Sequence, residues 1–136
     1  MSDIPNKPIP PADAGCVEYW SRCTAGELCV QRCDACGHLQ HYPRTLCTQC
    51  QGDQLRLVAA SGSGRVRSFT VIRRAVSAAF ESDVPYVVAL IELQEGPTMM
   101  ANVVNCEPER VAIGLAVKVV FEARGDALQI PQFEPL

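Results

Sequence analysis

The sequence predicts a mainly β protein: an N-terminal helical arm, then a four-cysteine metal hairpin, then a five-stranded barrel. Three observations predict it. Two Cys-x-x-Cys pairs, Cys33/Cys36 and Cys47/Cys50, are separated by the ten residues 37–46. Segments of β character divided by turn residues fill positions 65–133. The stretch before the cysteines instead spaces its apolar residues for a helix.

Composition sets the outer bounds. The chain has 136 residues with 48% apolar content, enough for one compact core or a small module beside a modest one. A chain of this size buries roughly two-thirds of its unfolded surface. Its net charge is −3 and its pI about 5.3. That argues against a general nucleic-acid or anionic-membrane binder, which is usually basic. No apolar run approaches the ~20 residues that span a bilayer. Met1–Pro11 is Pro-rich and polar and reads as a flexible arm rather than a targeting peptide, so the expected location is cytoplasmic.

Along the chain, Asp13 is a candidate cap for a helix over 14–24. Cys16, Tyr19, Trp20 and Cys23 share one face of it, and Gly26 ends it. This stripe holds the single Trp of the chain. Either it packs inside its own chain or it docks another subunit; Tyr19 and Trp20 are the docking candidates. A short strand over 28–31 leads into the first cysteine pair, and the metal module extends to Leu57. Residues 59–64, Ala-Ala-Ser-Gly-Ser-Gly, form the junction. Strands are expected over 65–72, 86–94, 98–104, 116–123 and 127–133. The apolar run Val87–Ile91 predicts a central strand covered on both faces. Residues 108–113 predict a short helix, with Pro108 near its start and Gly114 after its end. Pro131 marks the last strand as an edge. Five strands with a helix between the third and fourth is the order of an OB-fold, a partly open Greek-key barrel. The expected units are 1–27 (arm and docking helix), 28–60 (ribbon) and 61–136 (barrel).

The paired cysteines carry the clearest chemistry. A two-residue spacing lets one tight turn present two thiolates to one ion, and two such turns complete a tetrahedral four-sulfur site. Cys33, Cys36, Cys47 and Cys50 are therefore the expected ligands of a structural Zn²⁺. Gly37 suits the backbone reversal after the first pair, whereas Gly52 sits one residue later after the second, making that turn less regular. Disulfides are disfavoured for a chain without a signal peptide. Iron, held as in rubredoxin, is the competing metal.

Catalytic candidates are scarce. The two histidines, His38 and His41, both lie within the metal hairpin. None of Cys16, Cys23, Cys29 and Cys106 has a histidine beside it in sequence as a base; Cys106, in a turn before an acidic segment, is the one to watch. Four thiolate ligands leave zinc no open position for catalysis. Nucleic-acid binding would need aromatic residues on the second and third barrel strands, which offer Tyr86. From 61 to 136 there are seven Lys/Arg against nine Asp/Glu. The basic residues cluster, however: Arg65, Arg67 and Arg73 share one strand face by period two. With Arg44 they are candidates to meet CoA phosphates or an acidic partner surface.

These features resemble a family of small proteins that join a rubredoxin-like zinc ribbon to an OB-fold and associate with acyl-CoA enzymes. The resemblance rests on Gly26-Glu27-Leu28, on Gln31-Arg32-Cys33-Asp34-Ala35-Cys36-Gly37, on Tyr42-Pro43-Arg44 and on Cys47-Thr48-Gln49-Cys50. It continues through Ser61–Val66, Ser68–Val71, Val84–Leu93, Ile113-Gly114 and Pro131–Pro135, covering the chain from about Ala12 onward. Pro43 stands alone where many relatives have two prolines, and the second pair lacks a proline after its first cysteine. Neither departure removes a ligand. The resemblance implies a non-catalytic companion subunit of a thiolase, thiolase-like aldolase, acyltransferase or enoyl-CoA hydratase. Such a subunit would assist assembly and acyl-CoA binding in a cytoplasmic hetero-oligomer, without nucleic acid or membrane. The alternatives are an OB-fold module binding nucleic acid or protein outside metabolism, and a rubredoxin-like iron electron carrier.

Overall fold

The computed structural model describes residues 7–11 and 16–136. One helix, α1 (Val17–Thr24), precedes eight strands. The proposed Asp13 cap lies outside the described residues. At the other end Glu27 N–H donates to Arg22 O and Gly26 N–H to Cys23 O, both at 2.9 Å, which closes the helix in a Schellman turn.

Three strands build the ribbon: β1 (Cys29–Cys33), β2 (Leu39–Gln40) and β3 (Leu55–Ala59), in the order β2-β1-β3. The sequence gives no strand signal at β3, whose alternation is too short to stand out; it is held by full antiparallel pairing with β1 from Cys29↔Ala59 to Cys33↔Leu55. The barrel follows as β4 (Ser63–Ile72), β5 (Tyr86–Leu93), β6 (Thr98–Val103), β7 (Ala116–Arg124) and β8 (Leu128–Pro135). It closes in the order β4-β5-β6-β8-β7. The expected helix between the third and fourth barrel strands is a single 3₁₀ turn, Pro108–Arg110.

The inward residues of every strand meet in one core with the helix. Val66, Val87, Ile91, Val117 and Phe133 are fully buried, and Tyr19, Cys23, Leu28 and Val30 join the same cluster. Fully burying one such aliphatic or aromatic side chain contributes about 1.5–3 kcal/mol.

Two strand expectations are corrected. β5 is not covered on both faces. Val87, Ala89, Ile91 and Leu93 turn inward, while Leu90 and Glu92 face solvent. An apolar run hides this alternation, because antiparallel barrel strands bury only one face. Nor is β8 an edge: it lies between β6 and β7. Its seam with β6 is nevertheless thin, a single parallel register pair, Val103↔Phe133. Side chains cover much of the rest. Asn102 N–H donates to Gln132 Oε1 at 2.7 Å, and Met100 N–H donates to Tyr42 Oη of the ribbon at 3.0 Å. Backbone groups of β6 left without a ladder partner are thus satisfied by β8 and by the metal module, which fixes the ribbon against the barrel.

Candidate metal centre and the surfaces around it

The two cysteine turns are built alike. Gly37 N–H donates to Cys33 O at 2.7 Å, and Gln51 N–H donates to Cys47 O at 2.9 Å. Cys33 N–H is satisfied by His38 O and Cys47 N–H by Gly52 O. The second turn is therefore regular. Gln51, with φ 64°, takes the left-handed position that Gly37 takes with φ 79°. A non-glycine residue pays about 1–2 kcal/mol for that conformation, and closure of the second turn offsets it. β1 delivers Cys33, its last residue, straight into the first turn.

The four sulfur atoms lie within 4.8 Å of one another. Cys33 Sγ and Cys50 Sγ are 3.6 Å apart, and Cys36 Sγ and Cys47 Sγ 3.7 Å. A tetrahedron with Zn–S bonds of about 2.3 Å has S···S edges of about 3.8 Å. The residues fit the metal. Cys33 and Cys47 are buried, whereas Cys36 and Cys50 lie at the surface. Backbone N–H groups aim at the sulfurs: those of Gln49 and Cys50 at Cys47 Sγ (3.4 and 3.5 Å), and that of Gly52 at Cys50 Sγ (3.4 Å). The Cys50 and Gln49 amides hold the Cys47 thiol well below its usual range, at about 6. Cys36 and Cys50, hydrogen-bonded to the other sulfurs, are instead raised, so Cys47 is the sulfur that carries thiolate most readily. His38 stays outside the cluster, with Nε2 3.0 Å from Thr48 Oγ1.

Two buried glutamines, which the sequence offered no reason to single out, hold the ribbon loops in place. Gln31 and Gln40 are register partners on β1 and β2. Gln40 Nε2 donates to Gln31 Oε1 at 2.7 Å, and Gln40 Oε1 accepts Thr48 N–H at 2.9 Å. Gln31 brackets Arg44, accepting its N–H and donating to its O, both at 2.9 Å. Polar side chains in strands ordinarily read as solvent-facing, so only the fold reveals this pair.

The helical stripe divides. Tyr19 is 3% exposed and Cys23 fully buried, against β8 and β1. Tyr19 is therefore part of the core of its own chain. Its Oη lies 2.7 Å from Nε2 of buried His41, and its ring packs edge-on against both Trp20 and His41. Trp20 remains half-buried at the surface. Burial raises the Tyr19 phenol above its usual range and lowers His41 from 6.5 to about 4. His41 Nδ1 has no hydrogen-bond partner among the described residues.

This burial has a pH consequence. In the unfolded chain His41 binds a proton below about 6.5, and in the fold it does so only below about 4. The stability that neutral His41 contributes is complete above pH 6.5 and is lost as pH falls from 6.5 toward 4, by about 3 kcal/mol over the whole window. Unfolding free energies measured between pH 7 and 5, with zinc content followed in parallel, should fall more steeply for the wild type than for His41→Gln. Equal slopes would contradict this role.

Arg65, Arg67 and Arg73 do not share one strand face by simple alternation. Arg65 Nη1 donates to Gly114 O at 3.1 Å, and Arg67 Nη1 reaches Thr98 Oγ1 at 3.4 Å, both on the outer barrel face. A register shift between Val66 and Ser68 breaks the period-two pattern. Arg73 lies past the end of β4, roughly 25 Å along the chain from Arg65 at strand rise. Arg44 is exposed on the ribbon. Cys106 is half-buried, and burial pushes its thiol up, the wrong direction for a thiolate nucleophile.

A four-thiolate ribbon packed on a closed five-stranded barrel places the molecule among zinc-ribbon/OB-fold proteins. Residues 20–56 match the family model described as ChsH2, rubredoxin-like zinc ribbon domain, and residues 57–122 match ChsH2, C-terminal OB-fold domain. The chain belongs to this ChsH2/DUF35 family. It is 33% identical to a solved chain described as Ltp2-ChsH2(DUF35) aldolase, with a TM-score of 0.84 over 93% of this chain and 98% of that one. It is 33% identical over 106 residues to a DUF35 domain-containing scaffold protein of Pyrococcus furiosus, covering 74% of this chain and 77% of that protein. It is 38% identical over 108 residues to a probable enoyl-CoA hydratase alpha subunit of Thermomonospora curvata, covering 79% of this chain. The chain spans only 33% of that subunit's length. No helix among the described residues is long and apolar enough to cross a membrane.

Proposed function

We propose that this chain is a non-catalytic companion subunit of a thiolase-type acyl-CoA enzyme, working in the cytoplasm to assist assembly and acyl-CoA binding. The observation that carries this reading is the match, over nearly the whole length of both chains, to the Ltp2-ChsH2(DUF35) aldolase chain. The scaffold and hydratase-subunit names of other relatives support it. So does the chemistry. The four ligands Cys33, Cys36, Cys47 and Cys50 would close the coordination sphere of a Zn²⁺, which supplies a cross-link between two turns and no open position for substrate. We assign the arm to 1–27, the ribbon to 28–60 and the barrel to 61–136. Arg44, Arg65, Arg67 and Arg73 are assigned to contacts with CoA phosphates or an acidic partner surface, and Trp20 to the partner side of the helix.

Purification of the native complex under mild conditions tests the reading. An acyl-CoA enzyme should come with this chain in a fixed ratio. Recovery of the chain alone, or bound to nucleic acid, would overturn it.

A further inference from the structure

We propose that the outer face of β5 and β6, centred on Leu90 and Met100 and bounded by Tyr42 and Arg67, is where an apolar, acid-rimmed surface of the large acyl-CoA enzyme subunit docks. This rests on the companion-subunit reading above and names the surface that performs it.

The apolar centre is not required by the fold. The inward half of β5 and β6 already fills the barrel, yet Leu90 is 41% exposed, Met100 56% and Tyr42 44%. They are contiguous. Leu90 and Met100 are register partners across the β5/β6 ladder, so their side chains lie side by side on one face. Tyr42 is tied to the same spot, since its Oη accepts the Met100 N–H at 3.0 Å. A large aromatic ring held in place loses little conformational freedom on binding, as interface anchors require. Clusters of exposed large apolar residues mark interaction sites.

The rim states the partner's chemistry. Of the twelve Lys and Arg residues, Lys7, Arg22, Arg32, Arg56, Lys118 and Arg124 form ion pairs within the chain. Among the described residues the other six, Arg44, Arg65, Arg67, Arg73, Arg74 and Arg110, form none, and of these Arg65 and Arg67 stand on the outer barrel face, Arg65 opposite Glu92 in the ladder. Arg67 reaches across β5 to Thr98 on β6, which carries its guanidinium beside the apolar centre. A chain of net charge −3 thus keeps unpaired cations beside its exposed apolar face. Guanidinium groups in that position select carboxylates on the opposing surface.

The large subunit that co-purifies with the chain is titrated with wild type and variants, each first checked for zinc content and melting temperature. Leu90→Glu and Met100→Glu should each weaken the complex by about 10-fold or more. Arg67→Glu should weaken it most at low salt, because the attraction it reverses is screened by ions. Ala123→Glu, at an exposed residue of β7, a strand that pairs with neither β5 nor β6, serves as the control and should stay within about 2-fold. Wild-type affinity in a folded Leu90→Glu/Met100→Glu double variant overturns the docking face and leaves the companion reading standing. Self-association of the chain that Met100→Glu abolishes would put a second copy on this face and overturn the proposal. Failure to recover any acyl-CoA enzyme overturns the companion reading itself, and the docking proposal with it.

Discussion

Loss of the metal, by strong chelation or by Cys33→Ser, is expected to unfold the ribbon and leave the barrel folded. Cys33 is fully buried at the end of β1, so an unligated thiolate or hydroxyl there has neither solvent nor ion to satisfy it. The three ribbon strands are short, the shortest only two residues, and could not hold the two cysteine turns together alone. In small zinc modules the metal supplies about 10–16 kcal/mol, which is folding free energy. The damage should spread along two contacts: Tyr19 loses His41, and the β6 edge loses Tyr42. The barrel keeps its own ladders and inward core. Hydrogen exchange should therefore show loss of protection in β1 and β3 with β5 protected, and elemental analysis of the intact protein should give about one zinc per chain. Unchanged protection in β1 after zinc removal would contradict this, as would stoichiometric iron with redox-dependent colour.

Tyr19→Ala is expected to destabilise the isolated chain by about 3–5 kcal/mol, the usual cost of deleting a buried aromatic ring. The side chain is 3% exposed and joins the helix, the ribbon and the barrel core. Tyr19→Phe keeps the ring and removes the hydroxyl that partners His41 Nε2. It should cost about 1–3 kcal/mol, the penalty for leaving a buried polar group unpaired. Denaturant titration of the free chain measures both. A Tyr19→Ala variant as stable as wild type but poor in complex formation would restore the helix stripe as a docking surface.

The parts of this molecule that were legible in the sequence are those set by local spacing. Two Cys-x-x-Cys turns declare a four-thiolate site wherever the chain goes next, and the number and positions of the barrel strands follow from their β-type segments and the turn residues between them. What stayed hidden depends on distant partners. Tyr19 reads equally as core or as a docking anchor until β8 and His41 are seen to cover it. Leu90 reads as core because an apolar run does not reveal which face a barrel strand turns outward. The break in the arginine face comes from a bulge that no periodicity encodes. Gln31 and Gln40 look like surface residues until their pairing is visible. Gln51 shows that a left-handed position need not be glycine when the metal turn demands it.

The most direct test of the account is an acyl-CoA turnover assay with the chain alone, the large subunit alone, and the two recombined. The chain alone, rigorously freed of its partner, should show no thiolytic, retro-aldol or hydration activity, and recombination should raise the activity of the large subunit. Turnover by the isolated chain that disappears in Cys106→Ala would contradict the account.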